Sequence, residues 1–325
     1  MTGETDTVRV LYIGGFGRSG TTLLNRMLGE LPNVCAIGEA VNLWQQGVVN
    51  NEKCGCGKPF HSCSFWQEVG TLAFGGWHRV DLERVLALRS ANSRFRFVRE
   101  ASLAPESVTT SLTPASRRRI EANNVLYWRL YSAISQVSGC SVIVDASKHA
   151  SLLSYLRHHE LLDIRLIHMV RDSRGVAHSW AKIRQRPESD DPGSVMDRFS
   201  AVRSAMLWNM YNTSFFALRQ LGVAYHRLRY EDLVRTPERH LREIVAAADI
   251  GVDDDAFSFL GDGYVRLTST HCVAGNPMRF EHGRMTLRMD DEWISALSKR
   301  DRLTVTGLTL PLLIQFGYLP SGVRR

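Results

Sequence analysis

Long apolar runs are missing from this chain. No window of its 325 residues approaches 18 consecutive apolar side chains, so no stretch reads as a membrane-spanning helix. Runs of like charge are missing too. The net charge is +7, yet no block of five or more lysines and arginines occurs, which argues against a nucleic-acid-binding tail and leaves an anionic ligand or a merely basic surface. The opening Met1–Thr7 is polar and lacks the basic-then-apolar shape of a secretory leader, so a cytoplasmic location is expected. Cysteine is sparse: Cys35, Cys54, Cys56, Cys63, Cys140 and Cys272, with no Cys-x-x-Cys pair among them. Apolar residues at 44% and charged residues at 22% supply a sizeable core. One domain over 1–325, with helical and loop insertions around 51–136 and 184–194, fits better than two independent ones.

What is present is concentrated near the start. A strand-like run Val8–Ile13 leads into Gly14-Gly15-Phe16-Gly17-Arg18-Ser19-Gly20-Thr21-Thr22, followed by a helix-like Leu23–Glu30. Strand, glycine turn and helix in this order place free backbone N–H groups and a helix N-terminus around a phosphate. From Gly15 the spacing is that of a P-loop, but Thr21 stands where the lysine belongs. A P-loop kinase holds its β- and γ-phosphates with that lysine and Mg²⁺ with the next hydroxyl. Here the nearest cation is Arg18, so the loop suits one firmly held phosphate and a charged group just beyond it, with no metal required.

Further along, Val34–Ile37 reads as a buried strand delivering Gly38-Glu39-Ala40 to the edge where parallel sheets bind ligands. Taken alone, Glu39 is equally well a helix-entry or surface acid. Residues 51–66 hold Cys54, Cys56, His61 and Cys63, open to three readings: a zinc site, a Cys56–Cys63 disulfide, or reduced thiols in a structural loop. Asp81–Gln136 is mostly helical, broken around Ala104–Pro114, with the arginines of Ser116–Arg119 on a solvated face. Strands are expected at Ser141–Val144, Ile164–Val170 and Val223–Leu228, and helices at Leu152–His159 and Val195–Leu221. Arg171 opens the turn after one strand and Ser179 follows two helical turns on, a second candidate anion site. Arg184–Ser194 reads as a surface loop or lid, and Thr236-Pro237 as a helix start. The segment His271–Phe280, with its Gly-Asn-Pro turn, reads as a surface loop whose Arg279 closes over a ligand. The alternation predicts an α/β fold, a parallel β-sheet flanked by helices, of P-loop nucleotide-binding type with helical insertions.

Taken together, three ordered segments resemble the sulfotransferases that use 3′-phosphoadenosine-5′-phosphosulfate. Gly17–Leu24 is similar to their 5′-phosphosulfate loop, Ile167–Arg174 with Ser179 to their 3′-phosphate segment, and Arg229–Leu233 to a Tyr-Glu-Asp motif whose tyrosine lies near the adenine. The chain resembles the tyrosylprotein and carbohydrate branch more than the cytosolic phenol and steroid branch. The latter's catalytic histidine is replaced here by Asp145-Ala146-Ser147-Lys148, and Gly38-Glu39-Ala40 stands where the former has its acid. The Cys-x-Cys loop and the His271…Arg279 segment look like those of bacterial members, the latter departing from the arginine-glycine motif of the cytosolic enzymes.

That resemblance implies Gly17, Arg18, Ser19, Gly20, Thr21, Thr22, Arg171, Ser179, Tyr230, Asn276 and Arg279 as donor ligands. It implies Glu39 as general base, with Arg18 and Lys148 as catalytic cations, no metal ligands, and His149 as the competing base. The implied acceptor is a hydroxyl of a carbohydrate, lipid or natural product. Two other readings are a small-molecule P-loop kinase, which needs the missing lysine and an acidic Mg²⁺ ligand, and a non-catalytic anion- or nucleic-acid-binding module.

Overall fold

Strand β1 (Val8–Gly14) is the centre of a five-stranded parallel sheet, found among the residues the computed structural model describes: 7–91, 113–183, 185 and 195–319. Its neighbours are β2 (Val34–Gly38), β3 (Val142–Asp145), β4 (Leu162–Val170) and β5 (Ala224–Arg229), in the spatial order β2-β3-β1-β4-β5. Val10 of β1 aligns with Ile143 on one side and Ile164 on the other. Alternation along β1 sorts its side chains between two apolar layers. Val10 and Tyr12 face a core shared with Trp44, Trp66, Tyr131 and Leu153, whereas Leu11 and Ile13 face one shared with Leu24, Met27, Leu241 and Ile244. Both faces are therefore covered, which explains why the strand reads as an apolar run from Val10 to Ile13, with Arg9 at its start paired to Asp163.

Helices flank the sheet, and some of them start at a side-chain cap. The longer ones among the described residues are α1 (Thr21–Leu28), α2 (Ser64–Phe74), α3 (Leu82–Ala91), α4 (Pro114–Ser138), α5 (Ala150–Leu156), α6 (Ser173–Ala181), α7 (Ala201–Gln220), α8 (Tyr230–Arg235), α9 (Pro237–Ala247) and α10 (Lys299–Gln315). Thr113 caps α4 by accepting from the Ser116 N–H at 3.2 Å, with Pro114 in the first turn. The helix expected from Val195 begins instead at Ala201, because the Ser200 hydroxyl accepts from the Arg203 N–H at 3.3 Å and starts the helix there.

Two features of the C-terminal third differ from expectation. A small antiparallel sheet, β6 (Leu260–Gly261), β7 (Tyr264–Leu267) and β8 (Gly283–Thr286), joins the molecule beside α1. The segment around His271 is no surface loop. Val273 pairs in parallel with Gly38, donating to Ile37 O at 2.8 Å and accepting from the Glu39 N–H at 2.9 Å. Cys272, Val273 and Ala274 are buried as a result. Arg26 of α1, itself fully buried, ties down the flanks by donating to Met278 O at 2.5 Å and Thr268 O at 2.9 Å. The breaking stretch near 104–112 and most of the loop at 184–194 lie outside the described residues. No described helix is long and apolar enough to cross a membrane.

Candidate active site

The turn from β1 into α1 forms the first wall. Arg18 and Gly20 both take positive φ, 70° and 88°, which turns successive backbone N–H groups to one side ahead of the α1 N-terminus. Gly20 is required twice over. Its conformation disfavours a side chain, and an added Cβ would sit 2.5 Å from Tyr230 Cδ2. Ser19 and Thr21 are buried, and no acid occupies the first turn of α1 to compete for its N–H groups.

Opposite this turn, the ends of β4 and β5 supply a second set of polar groups. A cavity of about 160 Å³ is lined by Gly20, Thr21 and Thr22 together with Arg171, Ser179, Tyr230, Asn276 and Asp290. Arg171 is almost fully buried, and every contact aims it. It donates to Arg18 O at 3.1 Å, lies 4.7 Å over the Tyr230 ring, and pairs with Asp290 at 2.8 Å. Burial alone would raise the Asp290 pKa, but the charge and hydrogen bond of Arg171 outweigh it and hold the carboxyl below its usual range. Asp172 caps α6 through the Arg174 N–H, and its own N–H donates to Glu231 at 3.2 Å. Glu231 in turn accepts from Tyr318 at 2.7 Å, so the Tyr-Glu-Asp segment braces the turn that carries Arg171.

A third group sits at the loop's rim. Lys148, at φ 59°, donates to Glu39 Oε1 and, at 2.9 Å, to Ala146 O. The other Glu39 oxygen accepts from Asn42 at 2.7 Å, and Asn42 accepts from Arg89 at 2.7 Å. Only 13% of either partner's side chain is exposed. The strap from Cys272 onward closes this corner. A Cβ on Gly275 would lie 3.0 Å from Glu39 Oε1 and 3.7 Å from Thr22 Oγ1, so carboxylate and loop hydroxyl flank the same glycine. Behind them, Asp145 is fully buried. It accepts from Tyr131, Ser147 and the Ala40 N–H, which pins the ends of β2 and β3 together.

The sequence-derived residues thus divide. Thr21, Thr22, Arg171, Ser179, Tyr230 and Asn276 converge on one cavity, with Arg18 also on its wall. The Arg18 guanidinium lies 5.0 Å over Trp180 and reaches Met196 Sδ at 3.3 Å. Arg279 is buried behind the wall, where it donates to Gly275 O at 2.9 Å. His149 lines a different cavity of about 480 Å³, with Trp44, Gln45, Arg89, Asn123 and Tyr127. Asp290, Asn42 and Arg89 were not foreseen, since each lies in a stretch without a distinctive motif. The charge complement of Arg171 is the one signal that would have pointed to Asp290.

The cysteine loop also differs. His61, read as a fourth soft ligand, accepts its place through a contact of its Nε2 with Val48 O at 3.0 Å. The imidazole beside Cys54, Cys56 and Cys63 is that of His271, 208 positions from Cys63 in sequence. The Lys53–Pro59 bridge and the Gly55 N–H bond to Cys272 O turn the cysteines toward the C-terminal strap and leave His61 on the far side.

No protein-family model matches the chain, and no curated protein matches it. Solved structures do. The sulfotransferase domain of the Synechococcus PCC 7002 olefin synthase superposes with a TM-score of 0.50 at 21% identity, over 95% of this chain and 96% of that one. The sulfotransferase domain from the curacin biosynthetic pathway aligns over 94% and 98%, at 14% identity and a TM-score of 0.47. A Mycobacterium avium sulfotransferase aligns over 95% and 77%, at 13% and 0.45. The first of these likenesses shows a shared fold: a five-stranded parallel sheet flanked by helices, in the arrangement of a sulfotransferase domain.

Proposed function

We propose that this protein transfers a sulfuryl group from 3′-phosphoadenosine-5′-phosphosulfate to an acceptor hydroxyl. One observation carries the reading: a single cavity has a lysine-free phosphate turn on one wall and the Arg171–Ser179 pair with Tyr230 on the other. Two sets of anion-binding groups on one cavity suit a nucleotide with a 5′-phosphosulfate and a 3′-phosphate. The cavity is narrower than the roughly 300–1,000 Å³ of common ligand pockets, and Asp290 takes part of the space beside Arg171. Donor binding exchanges that carboxylate for the 3′-phosphate.

The chemistry follows from charge. The acceptor oxygen attacks sulfur while the bond from sulfur to the bridging oxygen breaks, and the electron pair leaves with the 5′-phosphate. Backbone N–H groups of Gly17–Thr22, the α1 N-terminus and the hydroxyls of Thr21 and Thr22 offset the charge that develops there. Lys148 supplies a cation at the bridging oxygen, and its move from Glu39 to that oxygen frees the carboxylate to take the acceptor proton. Asn42, held by Arg89, keeps Glu39 oriented during the exchange. The cavity lined by Trp44, Gln45, Arg89, Asn123, Tyr127 and His149 lies on the Glu39 side of this relay through Arg89. Aromatic, amide and cationic groups there suit a hydroxyl-bearing small molecule such as a glycan, lipid or natural product.

The kinase reading is weaker. Its Mg²⁺ ligand would be the acid ending the strand beside β1, and that acid, Asp145, is fully buried and spent on Tyr131, Ser147 and Ala40. Calorimetric titration separates the readings. 3′-Phosphoadenosine-5′-phosphate is expected to bind and ATP·Mg²⁺ to bind much more weakly; Arg171→Ala should weaken the former by about 1.5–3 kcal/mol. Equal affinity for the two nucleotides, or an Arg171→Ala variant that binds as wild type, would overturn the assignment. Mass-spectrometric screening of acceptors with labelled donor then identifies the class.

A further inference from the structure

We propose that Cys54, Cys56, Cys63 and His271 form a structural zinc site that rivets the 50–63 loop to the C-terminal strap. The four ligand atoms lie within 4.8 Å of one another. Three of these separations are close to the edges of a filled tetrahedron. With Zn–S near 2.3 Å and Zn–N near 2.0–2.1 Å, sulfur–sulfur edges should be about 3.8 Å and sulfur–nitrogen edges about 3.6 Å. Cys56 Sγ stands 3.7 Å from Cys63 Sγ, and His271 Nδ1 stands 3.7 Å from Cys54 Sγ and 3.3 Å from Cys63 Sγ.

The competing arrangements explain less. A disulfide needs sulfurs at about 2.05 Å and uses only two of the four groups, whereas all the cysteines here are free. Backbone pairing brings the loop and the strap together, but reduced thiols are weak donors and acceptors and give no reason for three of them and an imidazole to converge on one point. The surroundings are organised around the ligands. Phe65 stacks on the His271 ring at 4.6 Å and 9°, and Trp66 donates to His271 O at 3.0 Å. Cys54 is tied to its own hairpin by its N–H bond to Lys58 O at 2.8 Å, and Gly57, at φ 85°, makes the turn between the second and third ligands possible. Four protein ligands leave no open position, which marks such a site as structural rather than catalytic.

Placement gives it a purpose. Cys272 and Val273 follow His271 directly, and they pair with Gly55 and with Ile37–Glu39. A zinc ion at this cluster would fix the strap that carries Gly275 against Glu39. This inference is independent of which reaction the cavity performs.

Metal analysis of protein purified without chelator under reducing conditions should find one zinc per chain, released when the thiols are titrated with a mercurial. Reconstitution with Co²⁺ should give the intense visible bands and thiolate charge-transfer absorption of a tetrahedral thiolate site. Cys63→Ser and His271→Ala should lose that spectrum, whereas His61→Ala should keep it. If either of the first two fails to fold, the wild-type Co²⁺ spectrum together with His61→Ala still decides. The proposal is overturned by reduced wild-type protein that takes up neither zinc nor Co²⁺, by a Cys56–Cys63 disulfide in freshly isolated protein, or by His61→Ala abolishing the Co²⁺ spectrum.

Discussion

Glu39 and Lys148 come from strand ends 109 positions apart, yet meet in one largely buried pair. A carboxylate so paired has its oxygen free for an acceptor proton only once the lysine has moved. Glu39→Gln keeps the shape and the Asn42 contact but cannot take a proton. Turnover should fall by about 10²–10⁴, with binding of 3′-phosphoadenosine-5′-phosphate unchanged in titration. Unchanged turnover would move the base elsewhere. On the proposed donor assignment, Asp290 makes the opposite case, a charge that opposes binding. Asp290→Asn removes the carboxylate that a 3′-phosphate must displace from Arg171, so nucleotide affinity should rise by about 1 kcal/mol, roughly fivefold. Weaker binding would mean that Asp290 positions Arg171 rather than competes for it. Arg171 and Ser179 could be read from sequence because a strand end and a helix period place them. Asp290 could not, because nothing local joins it to a residue 119 positions away.

Among the elements, the strap from Cys272 to Arg279 does most to assemble the site. Its residues suggest a turn, and they do form one. What they do not reveal is that Val273 joins the end of β2, buried beneath the cavity. Gly275 carries the argument for this element, with φ 96° and Glu39 against its open face. Gly275→Ala should cost about 1–3 kcal/mol of stability in urea unfolding and reduce turnover more than nucleotide affinity, since the displaced group is Glu39. Loss of stability with no effect on turnover would separate the strap from catalysis. Helix starts were legible in part. Thr236-Pro237 announces itself locally, whereas the caps at Thr113, Asp172 and Ser200 needed the fold to show them.

For the molecule as a whole, buried imidazoles tie stability to pH. His168 on β4 is fully buried between Tyr225 at 2.7 Å and Asn212 at 2.9 Å. Burial, aided by the nearby Arg227 charge and opposed by Asn212, pushes its pKa down to about 4. His158 is likewise pushed to about 4 by burial and by Arg157. Between that value and the unfolded value near 6.5, the unfolded chain binds the extra proton, so stability rises with pH. The contribution is complete above about pH 6.5 and is lost as pH falls toward 4, on the order of 3 kcal/mol for a fully buried imidazole. The melting temperature should therefore fall between pH 7 and pH 5, and His168→Gln should flatten that fall. An unaltered slope in the variant would place its origin in other groups.

By itself the sequence determined the alternation of strands and helices that builds the parallel sheet, the glycine turn from β1 into α1, and the strand-end positions of Arg171 and Tyr230. Each rests on local periodicity, a glycine conformation or a strand end, and these act over a few residues. Only the tertiary structure decided that Lys148 faces Glu39, that Asp290 pairs with Arg171, and that His271 rather than His61 completes the cysteine cluster. These are pairings between distant segments. Parallel strand order and burial choose them, and no spacing along the chain records which buried partner a charge or a soft ligand will meet.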